Sequence, residues 1–162
     1  MAKILEIITK LNPKIRQKSI EIPVKKILTK EISTLLKDME KTMIKKDGIG
    51  LAAPQIGENI RLFVINTKDG AEFFINPKIL KKSIIKEWGE EGCLSVPNIF
   101  GKVKRHKKLI CQYTDASGKE KTITAQGLLA RVIQHENDHL DGILFIDKAI
   151  ELKELKTTDI KK

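Results

Sequence analysis

Leu28, Ile32, Leu35, Leu36, Met39 and Met43 recur at intervals of mostly three and four residues. That spacing puts them on one face of a helix, and the Asp47-Gly48 pair is a stop signal. An amphipathic helix is therefore predicted over 28–46. The period then shortens. "IRLFVIN" (60–66) and "AEFFINP" (71–77) are strand-like runs around "TKDG", and "LICQYTD" and "KEKTITAQ" flank "ASG" in the same way. Each pair predicts a hairpin. In "LLARVIQHENDHLDG" the helical period returns. Leu128, Val132, His135 and His139 lie on one stripe, Leu129, Ile133 and Leu140 widen the apolar face, and Gly142 is placed to end the helix. The tail from Asp147 has a thin apolar pattern, read as a final helix. Strands in the middle with helices at both ends predict an α+β domain.

With 162 residues, no internal repeat and no low-complexity linker, one domain over 1–162 is expected. Hydrophobic residues make up 41% and charged residues 32%, a globular balance. No apolar run approaches a membrane span, and "MAKILEIITKLNPK" is too short and broken in its apolar stretch to read as a signal peptide. Two cysteines, Cys93 and Cys111, do not make a disulfide framework, so reduced thiols in a cytoplasmic setting are expected. The net charge of +10 concentrates in residues 3–30 and in "GKVKRHKK" (101–108). One reading is attraction to an anionic assembly such as RNA or the ribosome; the other is a solubilising lysine face. No aromatic residues interleave these runs, which argues against a base-stacking surface.

The chemistry-bearing pattern is His135-Glu136-x-x-His139. Residues four apart share a helical face, so both imidazoles can reach one cation. Glu136 sits about 100° further round, where it borders such a cation and is free to take a proton from water. The bland alternative is a helix that happens to carry His and Glu. Against it, the histidines lie on an apolar stripe, and a buried imidazole needs a polar partner.

Two histidines leave a catalytic site one ligand short. "EEGCLSVP" (90–97) offers Cys93, after a glycine and before a proline, as an irregular turn presenting a thiol. Cys111, inside a strand-like run, fits the role of a small buried apolar residue. Spacing alone does not choose between them. "GIGLAAPQIG" (48–57) is dense in small residues and carries one amide, Gln55, able to donate to a developing oxyanion. It lacks the lysine and hydroxyl of a phosphate loop; the bland reading is a plain turn.

Together, and in this order, GIGLAAPQIG, EGCLS and QHExDHLxG resemble the three signature motifs of the peptide deformylase family. The resemblance implies antiparallel β-sheets packed around a central helix carrying HExxH. It implies metal-dependent removal of the formyl group from the formyl-methionine of new polypeptides, releasing formate. It assigns the metal to Cys93, His135 and His139, acid/base work to Glu136, and oxyanion stabilisation to Gln55 and the Leu94 N–H. Ile49 and Gly50 match residues along the substrate's path, and Glu91 matches a glutamate of the second motif. The family is associated with Fe2+, with Zn2+, Ni2+ or Co2+ able to take the same place.

Other positions stay open. Leu128 and Val132 either wall the methionine pocket or are ordinary core. Arg105 either pairs with Glu91, as in the family, or joins a solvated basic face. Gly89 stands where relatives often carry a bulky apolar residue, with Trp88 a candidate to compensate, and "NIFGKVKR" departs from the arginine-bearing version of many members. A zincin-type peptidase would need a third ligand downstream of His139, where Asp141 and Asp147 are the acidic candidates. A deformylase-like fold kept for binding RNA or the ribosome would have no need of Glu136 and Gln55.

Overall fold

The structure, a computed structural model, describes residues 1–156. Its strands are β1 (Gly50–Ala52), β2 (Leu62–Thr67), β3 (Gly70–Lys82), β4 (Lys86–Cys93), β5 (Val96–His106), β6 (Lys108–Thr114), β7 (Glu120–Gln126) and β8 (Ile150–Glu154). Its α-helices are α1 (Val24–Ile27), α2 (Lys30–Lys45) and α3 (Gly127–Leu140). Alternation along β2 sets the layering. Leu62 and Val64 pack towards α2, with Met39 and Met43, while Phe63 and Ile65 pack towards α3, with Ile133 and Leu140. A strand buried on both faces reads as a continuous apolar run, as "LFVI" does.

Two antiparallel sheets result, ordered β1-β2-β3-β6-β7 and β4-β5-β8. Helix α3 touches strands of both sheets, so the segment with both histidines is the central element. The aromatic residues of three neighbouring strands stack beneath it: Phe63 lies 4.8 Å from Phe74, which lies 4.1 Å from Tyr113. A third apolar cluster (Ile15, Val96, Val103, Leu144 and Phe145) holds the smaller sheet to the N-terminal segment.

Both expected hairpins form. β2 pairs β3 from Leu62↔Ile75 to Thr67↔Gly70, and β6 pairs β7 without a register shift. Helix α2 begins later than expected. Thr29 caps it through Ile32 N, leaving Leu28 outside the helix and exposed. Gly142 ends α3 at φ 73°, and a Cβ there would meet the Arg16 carbonyl carbon at 2.7 Å.

One expectation is corrected. The tail from Asp147 is not helical over its described residues. After a 3-10 turn (Phe145–Asp147), Ile150–Glu154 pairs with the open edge of β5 as β8. Ile150 and Leu152 share a strand face while Leu152 and Leu155 share a helical one, and an unpaired edge strand nearby decides for the strand. Residues 157–162, the rest of that tail, lie outside the described residues. The turn in "EEGCLSVP" is irregular as expected, with a register shift between Gly92 and Cys93, but it closes a long β4–β5 hairpin that periodicity did not reveal.

The N-terminal segment ties the chemistry-bearing pieces together. Ile8 N donates to Gln55 O at 2.8 Å, Lys10 N to Ser95 O at 2.9 Å, and Ser19 N to Leu140 O at 2.8 Å. One extended segment thus hydrogen-bonds to all three motif-bearing stretches.

Candidate active site

Helix α3 and the end of the β4–β5 hairpin bring Cys93, His135 and His139 together, their ligand atoms all within 4.8 Å of one another. Cys93 Sγ lies 3.3 Å from His139 Nε2, and the two rings are 5.1 Å apart. Two donors held at zinc-like bond lengths on a tetrahedral ion sit roughly 3.3–3.6 Å apart, so the spacing suits a cation. Cys111 is elsewhere, fully buried on β6 with its thiol pKa pushed up to about 11 by burial.

Ring electrostatics prepare two different imidazoles. Burial keeps His139 neutral, helped by the nearby positive charge of His135 and Arg105. Burial also works against charge on His135, but hydrogen bonds to Cys93 and Glu91 prevail and carry its pKa to about 10. Its Nδ1 lies 2.9 Å from Glu91 Oε2, which leaves Nε2 for a ligand. A cation held here would take the place of the Nε2 proton, while Nδ1 keeps its bond to Glu91.

Glu136 is 4% exposed, and its Oε2 has no hydrogen-bond partner among the described residues. A buried carboxyl oxygen without a partner is costly unless a ligand supplies one. Burial raises its pKa to about 7. Gly50 makes the room, since a Cβ there would come within 2.8 Å of Glu136 Cδ. Gln55 is equally fixed. Its Oε1 accepts from Ala52 N at 2.8 Å, which orients Nε2 towards Cys93 Sγ (3.4 Å) and Ser95 Oγ (3.2 Å). Leu94 forms the hairpin end beside Cys93, its side chain against Gly48.

A buried ion cluster supports the centre. Glu91 accepts from Arg105 Nε (2.9 Å) and Nη2 (3.0 Å), from Arg131 Nη1 (2.9 Å) and from His135 Nδ1. Burial alone would raise the Glu91 pKa, but His135 and Arg105 hold it well below the usual carboxylate range. Arg105 is 3% exposed and also pairs with Asp138 at 2.5 Å, so it is no part of a solvated basic face.

A cavity of about 520 Å3 opens over these groups, and Ile49, Gly50, Leu128 and Val132 all line it. Leu128 stands exposed on its wall, whereas Val132 is both wall and core. Trp88 does not replace a missing pocket side chain. It projects from the other face of β4, where Lys104 Nζ lies 5.7 Å from its ring. What fills the space at Gly89 is Arg131, which sequence reasoning passed over although it sits one turn before His135. Phe100, packed on Gly92, is a second lining residue it missed. Asp141 and Asp147, the acids available to a zincin, pair instead with Arg61 and Arg16.

A thiol and two imidazoles beside a buried carboxyl whose Oε2 lacks a partner have the make-up of one class of site, that of a single-metal hydrolase. The family model for polypeptide deformylase matches residues 4–155. A peptide deformylase of Syntrophomonas wolfei is 46% identical over 150 residues, covering 93% of this chain and 96% of the relative. The crystal structure of peptide deformylase from Thermotoga maritima aligns with a TM-score of 0.87 at 36% identity, over 91% of this chain and 98% of that one. A Met-Ala-Ser-bound class I type b peptide deformylase from Acinetobacter baumannii aligns at 0.88 and 30% identity, over 91% and 99%. The chain belongs to the polypeptide deformylase family, metal-dependent hydrolases that remove the N-formyl group from new polypeptides. No helix among the described residues is long and apolar enough to cross a membrane.

Proposed function

We propose that Cys93, His135 and His139 hold one divalent ion, and that Glu136, Gln55 and the Leu94 N–H use it to hydrolyse the formyl amide of formyl-methionyl polypeptides. The observation that carries this reading is the convergence of those three donors beside a buried carboxyl whose Oε2 lacks a partner. When bound, the ion polarises the formyl oxygen and acidifies a water. The chain does the rest. Glu136 takes one proton from the attacking water and passes it to the departing amine as the C–N bond breaks, leaving formate. Burial raises the pKa of this carboxyl above the usual carboxylate range, which eases the return of the proton to the amine. Gln55 Nε2, fixed by Ala52 N, and the Leu94 N–H stabilise the tetrahedral oxyanion; each such donor is worth about 100- to 1,000-fold in rate. Glu91 orients the His135 ring.

Leu128 and Val132 wall the methionine pocket, and Ile49 and Gly50 line the path of the peptide. The whole chain, 1–162, is one catalytic domain working in the cytoplasm. Fe2+ is the ion in the cell, with Zn2+, Ni2+ or Co2+ taking its place in preparations. A thiol ligand and a redox-active ion make the centre sensitive to oxygen. The clients are formyl-methionyl nascent chains. The basic stretches favour a ribosome contact without sequence-specific nucleic-acid recognition, and that association weakens with salt.

The test is formate release from formyl-Met-Ala-Ser by protein purified anaerobically under reducing conditions. Wild type turns over; Glu136→Ala keeps its metal and does not. Release unaffected by that substitution removes the mechanism.

A further inference from the structure

The structure assigns Arg131 as a positioning residue for the metal centre and Gly89 as its matched counterpart. Together they set the separation between the histidine-bearing helix and the cysteine-bearing hairpin. The inference rests on the metal-centre reading above and adds residues that none of the three motifs contains.

The guanidinium of Arg131 leaves α3 one turn before His135 and lies against β4 and β5. Nη1 donates to Glu91 Oε1 and to Val103 O, both at 2.9 Å, with Gly89 O at 3.5 Å, and Nη2 donates to Glu87 O at 3.0 Å. These acceptors come from both strands of the hairpin. A rigid fork spread over several carbonyls fixes position as a flexible ammonium does not. The fit depends on Gly89: a Cβ there would lie 2.6 Å from Arg131 Cζ and 2.8 Å from Nε and Nη2. The missing side chain is therefore the seat of the arginine.

The two arginines on Glu91 do different work. Arg105 belongs to β5, so its fork fixes Glu91 within the hairpin. Arg131 belongs to the same helix as His135 and His139, so its bonds fix that helix to the hairpin that ends at Cys93. Glu91 then has all of its roughly four acceptor sites engaged. Arg131 also lines the cavity, so the same side chain borders the site and braces it.

Co2+ is the probe. Metal-free wild type, Arg131→Met, Arg131→Lys, Gly89→Ala and the double variant Gly89→Ala/Arg131→Met are titrated with Co2+ against a chromogenic chelator. The thiolate-to-cobalt absorption band is recorded at saturation. Arg131→Met should weaken Co2+ binding about 10-fold or more and alter the band, as loss of supporting partners does. Arg131→Lys should not restore it. Gly89→Ala should weaken binding similarly in the wild-type background, yet by less than about twofold once Arg131 is gone, because the collision is removed. A purely structural role would lower the melting temperature and leave affinity and band unchanged. Variants that fold and bind Co2+ as wild type does overturn the proposal, as does an equal cost of Gly89→Ala in both backgrounds. If Arg131→Met fails to fold, Gly89→Ala decides alone by the same affinity and band. Wild type that binds no Co2+ overturns the metal-centre reading itself.

Discussion

Two hairpins of this molecule each carry one cysteine, and they put it to opposite uses. β6–β7 keeps one register from Lys108↔Gln126 to Thr114↔Glu120, closes through a turn in which Asp115 accepts from Ser117 and Lys119, and buries Cys111 against apolar neighbours. β4–β5 keeps its register from Lys86↔His106 to Gly92↔Phe100, then jumps to Cys93↔Val96, leaving Pro97, Asn98 and Ile99 outside the ladder. Asn98 there has φ 62°, and the hairpin buries Glu91 and Arg105 beside Val96 and Val103. A regular ladder produces an inert thiol. A broken ladder, braced by buried charge, aims a thiol at two imidazoles. The irregularity costs backbone regularity and leaves the hairpin end free to present the thiol.

The sharpest way to break the contrast is to remove each thiol in turn. Cys93→Ala should abolish metal retention and lower deformylation by at least about 1,000-fold, on the scale of a lost Lewis acid. Metal content and formate release check it; an active, metal-loaded Cys93→Ala would mean the broken hairpin is not the chemical one. Glu136→Gln should cost about 100- to 10,000-fold in kcat with metal content unchanged. Its pH profile sharpens the point. Glu136 must be ionised to accept a proton, so wild-type kcat/KM should fall with acidification through a value at or below about 7, lower when a cation sits beside it. The residual rate of Glu136→Gln should lack that limb.

Glu91→Gln comes next. It should weaken metal binding by about 10- to 100-fold, measured by chelator competition. Because Arg105 and Arg131 would be left with reduced compensation, it should also cost about 3–5 kcal/mol in chemical denaturation. The sign with pH follows from the depressed pKa. The stabilisation is fully present above the unfolded value near 4.5 and is lost as pH falls towards the lower folded value. Acidifying wild type below about 4.5 should therefore destabilise it, and Glu91→Gln should flatten the decline. The smallest effect belongs to Cys111→Ala: about 1 kcal/mol of stability, with activity and metal content unchanged.

The same contrast explains what the sequence made legible. β2–β3, β6–β7, α2 and α3 announce themselves because each buries a face with a fixed period, and turn residues punctuate them. His135, Glu136, His139 and Gln55 were legible through residue type and spacing, Cys93 only through the resemblance to the deformylase motifs, because spacing left Cys111 open as well; the structure gathers all five. β4–β5 was not legible as a hairpin. "EWGEEGC" mixes glycines and carboxylates where a strand template looks for apolar residues, and the side chain it buries, Glu91, is charged. Arg131 reads as an ordinary polar position of an amphipathic helix, since its partners are the Glu91 carboxylate and main-chain carbonyls of a hairpin that periodicity did not disclose. The tail became a strand for a reason external to itself, the unpaired edge of β5.

The central claim is that a sulfur from the broken hairpin and two nitrogens from α3 share one ion. X-ray absorption at the metal edge of zinc-loaded protein measures this directly. The account predicts one sulfur at about 2.3 Å, two imidazole nitrogens at about 2.0–2.1 Å and one further light atom, with the sulfur lost in Cys93→Ala and retained in Cys111→Ala. A first shell of nitrogen and oxygen without sulfur, in active wild-type protein, would contradict it.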